Sequence, residues 1–128
     1  MGDYRKLKVW DRAHALALAV FKESARFPAT ERYGLTAQVR SAATSVGSNI
    51  VEGANRQSDG DMGRFLQIAR ASLAELEYQL LLARDLGYLP SERHAELAKE
   101  MDEISRMLIG LMTHLRKARR SKRELVTV

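Results

Sequence analysis

Residues 91–115 read SERHAELAKEMDEISRMLIGLMTHL, and this stretch decides the fold. Its large apolar residues recur at alternating intervals of four and three positions, which is the spacing of the buried seam in a helical bundle. The seam consists of Leu97, Met101, Ile104, Leu108, Leu111 and Leu115. A helix with one apolar face is stable only when that face is covered, so the pattern predicts further helices packed against this one.

Three more amphipathic segments precede this helix, and three breaks separate the four. The two prolines of the chain, Pro28 and Pro90, lie in two of the breaks, and residues 53–60 form the third. Proline and clustered Gly, Asn, Ser and Asp end helices because they disrupt or compete for the backbone hydrogen bonds. The preceding helices are predicted at residues 9–26, 35–54 and 61–86, the last ended by Gly87.

Each predicted helix has one apolar face, spaced by three and four positions. In helix 1 we expect this face to hold Leu7, Trp10, His14, Ala17, Phe21 and Ser24. In helix 2 it holds Leu35, Val39, Ala42, Val46 and Ile50. In helix 3 it holds Met62, Phe65, Leu66, Ala69, Leu73, Leu76, Leu80 and Ala83.

Short connections between the helices make neighbours antiparallel, and no strand pattern competes. The prediction is an all-α protein, an antiparallel up-down-up-down four-helix bundle. Residues 1–115 form the bundle domain and residues 116–128 a basic C-terminal tail.

The composition removes several classes of function. The chain has no cysteine, so it has no disulfide and no thiolate nucleophile or metal ligand. No apolar run approaches the ~20 residues that span a bilayer, so no membrane association is expected and the protein is predicted to be cytoplasmic. His14 falls on the predicted apolar face, where a hydrogen-bonded core role is more common than metal binding. We find no catalytic motif, and we expect no cofactor, no metal and no small-molecule substrate.

The net charge of +5 is concentrated at the C-terminus. Residues 1–115 contain 15 Lys and Arg and 15 Asp and Glu, and are neutral. Six basic side chains follow within eight residues, and we call them the basic row: Arg116, Lys117, Arg119, Arg120, Lys122 and Arg123. Such a cluster binds phosphate backbones without reading base sequence. The alternative is a solvated, frayed terminus.

A polar stripe borders the apolar face of helix 2. Ser and Asn are poor helix-interior residues, because their side chains compete for backbone hydrogen bonds. The stripe holds Gln38, Ser45, Asn49 and Glu52, and helix 3 has a similar edge at Ser72, Glu75 and Gln79. These residues form either a polar pocket or interface, or a boundary that orients the helices. We expect Asn49 and Glu52 to be partly buried and hydrogen-bonded. Val51 and Tyr78 lie outside the main stripes and suggest an oligomer contact.

The order of certain residues resembles the 23S rRNA intervening-sequence protein family of four-helix bundles. The resemblance extends to about Leu115. It is carried by Leu7-x-Val9-Trp10, Phe27-Pro28-x-x-Glu31-x-Tyr33-Gly34-Leu35-x-x-Gln38-x-Arg40, Ser45-x-x-Ser48-Asn49-Ile50-x-Glu52-Gly53, Phe65-Leu66-x-Ile68-Ala69-x-x-Ser72-x-x-Glu75, Leu86-Gly87-Tyr88-Leu89 and Met107-Leu108-x-Gly110-Leu111.

The resemblance implies a homo-oligomer, with a ring of five favoured, and brings neither a catalytic activity nor a cofactor. Some members of the family are encoded inside insertions in bacterial 23S rRNA genes. A similar bundle is the accessory protein of diversity-generating retroelements, where it contacts a reverse transcriptase. The resemblance also makes Gln38, Arg40, Ser45, Asn49, Glu52, Ser72 and Glu75 motif positions, which favours a shared structural network. Ser41 replaces the basic residue that usually follows Arg40.

Two functions remain open from the sequence. One is a homo-oligomeric scaffold that binds RNA, DNA or a nucleic-acid enzyme. The other is a protein–protein interaction module with a solvating tail and no role toward nucleic acid.

Overall fold

The computed structural model describes residues 3–127, and four long helices account for most of them. The helices are α1 (Lys8–Ser24), α2 (Leu35–Ala54), α3 (Asp59–Asp85) and α4 (Ser91–Thr127). Short 3₁₀ turns occur at Tyr4–Lys6 and Ala29–Glu31. The described part of the chain contains no strand. The predicted all-α class and its four helices are therefore confirmed.

The helix ends follow the local chemistry of the sequence. Ser58 precedes α3, and its Oγ accepts a hydrogen bond from the Asp61 N–H at 3.1 Å, which satisfies one of the free donors of the first turn. Gly87 follows α3 with a φ of 82°, a conformation that favours glycine. There the Tyr88 N–H donates to the Ala83 carbonyl at 2.9 Å. The breaks predicted within residues 53–60 and at Gly87 are thus present.

The helices form a closed cycle in which each packs against the next and α1 packs against α4. The residue contacts run in opposite directions along three of the pairs, and Asp59 at the start of α3 contacts Lys122 near the end of α4, so neighbours are antiparallel. The contacts are Trp10–Gly47 and Ser24–Arg40 for α1 and α2, Ser45–Ser72 and Gly53–Met62 for α2 and α3, and Arg12–Glu100 and Glu23–Arg93 for α1 and α4.

The core lies along the centre of this cycle, and the predicted apolar faces of α2, α3 and α4 form most of it. Every residue of these three faces is buried except Phe65 and Leu111, which are half-buried at the edges. The largest fully buried side chains include Ile50, Leu66, Leu73, Leu76, Leu80, Met101, Ile104 and Leu108.

In α1 the buried face is displaced by one position from the predicted face, and only Ser24 belongs to both. The residues buried in α1 are Val9, Ala13, Leu16, Val20 and Ser24. Trp10 is half-buried against the core, while His14 and Phe21 are exposed. His14 is therefore not a core histidine. Its ring stacks on Trp10, with 5.1 Å between centroids and 7° between planes.

A polar contact joins the two connections at one end of the bundle. Tyr88 Oη donates to Glu31 Oε2 at 2.9 Å, which raises the pKa of Tyr88, and the Leu35 N–H donates to Glu31 Oε1 at 3.3 Å. A Cβ at Gly34 would lie 2.9 Å from Glu31 Oε1, so a residue larger than glycine would displace this carboxylate. The Tyr88 ring also packs 5.7 Å from that of Phe27. The contact joins five of the residues that carry the resemblance: Phe27, Glu31, Gly34, Leu35 and Tyr88.

Two ion pairs fix α1 against α4. Arg12 Nε and Nη2 donate to the two oxygens of Glu100, both at 2.8 Å, and Arg93 Nε donates to Glu23 Oε1 at 2.9 Å. The bidentate geometry sets the register of the two helices as well as their attraction. Because Arg12 donates to it, the pKa of the Glu100 carboxyl is lowered from its ordinary value.

Small side chains bring α2 and α3 close together. A Cβ on Gly53 would lie 3.2 Å from the Met62 carbonyl oxygen and from Phe65 Cβ, so the backbones approach tightly there. Near the middle of the same interface, Ser45 Oγ and Ser72 Oγ share a hydrogen bond of 2.8 Å.

Glu100→Gln is expected to lower the melting temperature at pH 7, because glutamine keeps the shape of the side chain and loses its charge. The folded-state pKa of Glu100 is lowered, so its stabilising contribution is present above its unfolded pKa of about 4.3 and is lost as the pH falls through the folded value. Melting curves of the two proteins should differ at neutral pH and converge in acid. Asp102→Asn, in an exposed pair with Arg106, serves as the control with a smaller effect at pH 7. A gap that widens in acid would contradict the prediction.

A double-mutant cycle tests the Ser45–Ser72 bond. Ser45→Ala, Ser72→Ala and the double variant are compared by urea unfolding, which cancels the gain in helix propensity from alanine. We expect a coupling free energy of about 1 kcal/mol, the usual contribution of a neutral hydrogen bond. The matched cycle on the exposed Glu52–Arg56 pair should give no more than about 0.5 kcal/mol. Equal coupling in both cycles would show that the serine bond has no special role.

Candidate nucleic-acid interface

The basic row lies on α4, which continues without a break through the predicted domain boundary at residue 115 and ends at Thr127. All six basic side chains are exposed. Part of this segment packs beside the start of α3, where Lys122 Nζ lies 3.5 Å from Asp59 Oδ2. The described part of the tail is therefore a helical extension of α4, and Val128 lies outside the described residues.

Four arginines of the basic row share one side of α4. Their side chains line a shallow groove of about 230 Å³. The four are Arg116, Arg119, Arg120 and Arg123. Because the helix rises ~1.5 Å per residue, successive guanidinium groups lie one turn or less apart along the helix. A strand that follows the helix axis would meet a positive charge at every turn.

A second groove lies between the start of α3 and the end of α4, and we call it the α3–α4 groove. Its volume is about 260 Å³. It is lined by Asp59, Gly60, Gly63, Arg64, Gln67, Met112, Leu115, Arg116 and Arg119. Sequence reasoning missed Arg64, because residues 1–115 are neutral in total and nothing in that count singles out one arginine. The sequence feature that could have indicated this groove is that Gly60, Gly63 and Gln67 share one side of α3.

The polar stripe forms a smaller network than predicted. Asn49 is half-buried, and its Nδ2 donates to the Ser45 carbonyl at 2.8 Å and to Ser45 Oγ at 3.0 Å. Ser45 in turn bonds to Ser72. Asn49 is therefore partly buried and bonded to backbone, as expected. Together, Asn49, Ser45 and Ser72 link α2 to α3.

Glu52 does not belong to this network, so the expectation that it is partly buried is wrong. Its side chain is 56% exposed and pairs with Arg56, four positions on, at 3.1 Å. The carboxylate reaches solvent because it lies near the end of α2. Arg40 does not belong to this network either. Its Nε donates to Ser24 Oγ at 2.9 Å and its Nη2 donates to the Phe21 carbonyl at 3.3 Å. It therefore caps the last turn of α1.

Residues from the polar edges of α2 and α3 line an open polar groove between the two helices. The groove has a volume of about 360 Å³ and includes Gln38, Ser45, Ser72, Glu75 and Gln79. Gln38 and Glu75 are exposed. Gln79 Oε1 is buried and has no hydrogen-bond partner among the described residues. The groove contains no basic side chain, so it does not suit a phosphate.

An apolar groove lies between α1 and α2 on the outside of the bundle, and we call it the α1–α2 groove. Its volume is about 360 Å³, and its lining includes Trp10, Leu18, Phe21 and Val51. Leu18 is 52% exposed. Tyr78, the other residue predicted to contribute to an oligomer contact, is exposed on α3, away from this groove. Exposed large apolar side chains around a concave surface are typical of protein interfaces.

Within residues 3–127, no helix combines the length and apolarity needed to cross a bilayer. Over the same range, no group of three or more His, Asp or Glu side chains is placed to hold a metal ion.

The chain is similar to proteins of one family. The family model described as 23S rRNA-intervening sequence protein matches residues 5–110, and so ends before the basic row. A solved structure from Bacteroides thetaiotaomicron, a protein of unknown function from the S23 ribosomal protein family, is similar with a TM-score of 0.76 and 25% identity. That match covers 82% of this chain and 95% of the other. A comparison with curated proteins gave no significant match. The predicted resemblance is confirmed: the chain belongs to the 23S rRNA-intervening sequence protein family.

Proposed function

We propose that this protein is a non-enzymatic, cytoplasmic scaffold that binds RNA or DNA through the basic row, independently of base sequence. The observation that carries the proposal is the row itself, which consists of six exposed basic side chains on the helical extension of α4. Lys and Arg that contact phosphates release condensed counterions, and this release drives binding to any nucleic acid.

The proposal includes self-association, with a ring of five copies favoured. The α1–α2 groove supplies an apolar surface for it, with Leu18 and Phe21 exposed at its edge. A ring needs two different complementary surfaces on each copy, so the groove is one half of the contact. Several basic rows presented together would bind one nucleic acid far more tightly than a single row.

The second candidate function is a protein-binding module, which the same apolar groove favours. In that case the groove binds an unrelated protein and the basic row only keeps the chain in solution. The two candidates differ in what happens when the arginines of the row are neutralised.

Replacing Arg116, Arg119, Arg120 and Arg123 by Gln should strongly weaken nucleic-acid binding while keeping α4 helical. Fluorescence anisotropy with labelled single-stranded and duplex DNA measures the affinity at several salt concentrations. If each arginine contacts one phosphate, the slope of log K against log salt should fall by about 3 on a single strand. Affinity at ~0.1 M salt should then fall on the order of a hundredfold or more.

The control removes the same charge from exposed positions outside the basic row, by Gln substitution at Lys6, Lys22, Arg26 and Lys99. This variant should keep most of its affinity, because its net charge matches that of the test variant. Equal loss in both variants would mean that only net charge matters, and undetectable binding by the wild type would exclude the nucleic-acid role.

Leu18→Glu should dissociate the oligomer, because it places a charge at an interface that must lose water. Light scattering after size-exclusion chromatography should give the mass of a pentamer for the wild type and a smaller mass for the variant. Leu86→Glu, at an exposed position in the α3–α4 connection, serves as the control and should keep the wild-type mass. A monomeric wild type would refute self-association, and an unchanged Leu18→Glu mass would exclude this face.

A further inference from the structure

We infer that the α3–α4 groove seats one phosphate of a bound nucleic-acid strand, and that Arg64 on α3 is a phosphate contact. The inference rests on the proposed function and extends it from α4 to a site that two helices build. Its basis is the lining of the groove, where Arg64 faces Arg116 and Arg119 across a space of about 260 Å³. Three guanidinium groups around one small concave space suit an anion with several acceptor oxygens.

Gly60 orients one of these groups. A Cβ at this position would lie 3.4 Å from Arg119 Cζ and 3.6 Å from its Nε and Nη1, so the guanidinium packs directly against the first turn of α3. A packed guanidinium has lost much of its rotamer freedom before a ligand arrives, which lowers the cost of binding. Arg119 is exposed, and this contact places its guanidinium at the rim of the groove.

Gly63, one turn further along α3, leaves the space that the phosphate would fill. A Cβ there would meet no atom within 4 Å, although the residue lies in the wall of the groove. Met112 and Leu115 form an apolar part of the same wall, suited to the carbon atoms of a sugar. The groove is thus open at its centre and charged at its edges.

The acidic residue of the groove does not cancel this charge. Asp59 carries one negative charge and lies 3.5 Å from Lys122 Nζ, so that pair is neutral. Arg64 Cζ rests 4.8 Å from the centroid of Phe65, and Arg56 Cζ lies 4.5 Å from the same ring.

The test uses two single variants that change the groove in different ways. Arg64→Ala removes a charge, and Gly63→Leu fills the space without changing the charge and replaces a glycine by a better helix former. The controls are Arg26→Ala, at the opposite end of the bundle, and Gly110→Leu, whose Cβ would also meet no atom within 4 Å. The probe is a fluorescein-labelled 20-nucleotide oligo(dT), titrated between 50 and 300 mM salt, with circular dichroism to check folding.

Arg64→Ala should lower the salt slope by about 0.7 and the affinity at ~0.1 M salt about fivefold or more, as expected for one lost phosphate contact on a single strand. Gly63→Leu should lower the affinity to a similar extent, and both controls should bind like the wild type. Wild-type affinity and slope in either groove variant would overturn the inference. The proposed function would survive that result if the fourfold Gln variant still lost binding, so the two failures are distinguishable.

Discussion

Burial of the apolar seam of α4 is the interaction on which the rest of the structure depends. Met101, Ile104 and Leu108 are fully buried, and each such side chain stabilises the fold by about 1.5–3 kcal/mol relative to exposure. The seam continues to Leu115, so α4 is held in place up to the residue before the basic row. The core therefore fixes the direction in which the row leaves the bundle, and Arg119 against Gly60 extends that control by one more turn.

The sequence predicts α2, α3 and α4 well because each carries a single wide apolar face. It fails on α1, where Val9, Ala13, Leu16 and Val20 form one stripe and the residue after each forms another. Periodicity cannot choose between two faces 100° apart when both are apolar. In the structure the aliphatic stripe faces the centre of the bundle, where α1 packs against both α2 and α4. The aromatic stripe lies at the edge.

The candidate site is less predictable than the fold, because its residues come from separate helices. Wheel positions correctly place Asn49 beside Ser45, but they cannot show that Arg40 reaches back to α1 or that Glu52 pairs in solvent. Charge counting has the same limit. Residues 1–115 are neutral in sum, yet Arg64 lies on the side of α3 that meets the basic row. Total charge says little about a surface on which opposite charges are segregated.

The strength of phosphate contacts explains why one chain would need both a basic row and an apolar groove. Each contact on a single strand changes K by about fourfold at 0.15 M salt. One phosphate contact from each of Arg64, Arg116, Arg119, Arg120 and Arg123 would therefore give a Kd on the order of 1 mM for one subunit. Linking several subunits would raise the avidity by roughly 10²–10⁴, which corresponds to a Kd between about 10 µM and about 0.1 µM. Under the proposed function, self-association through the α1–α2 groove would therefore be needed for binding of useful strength.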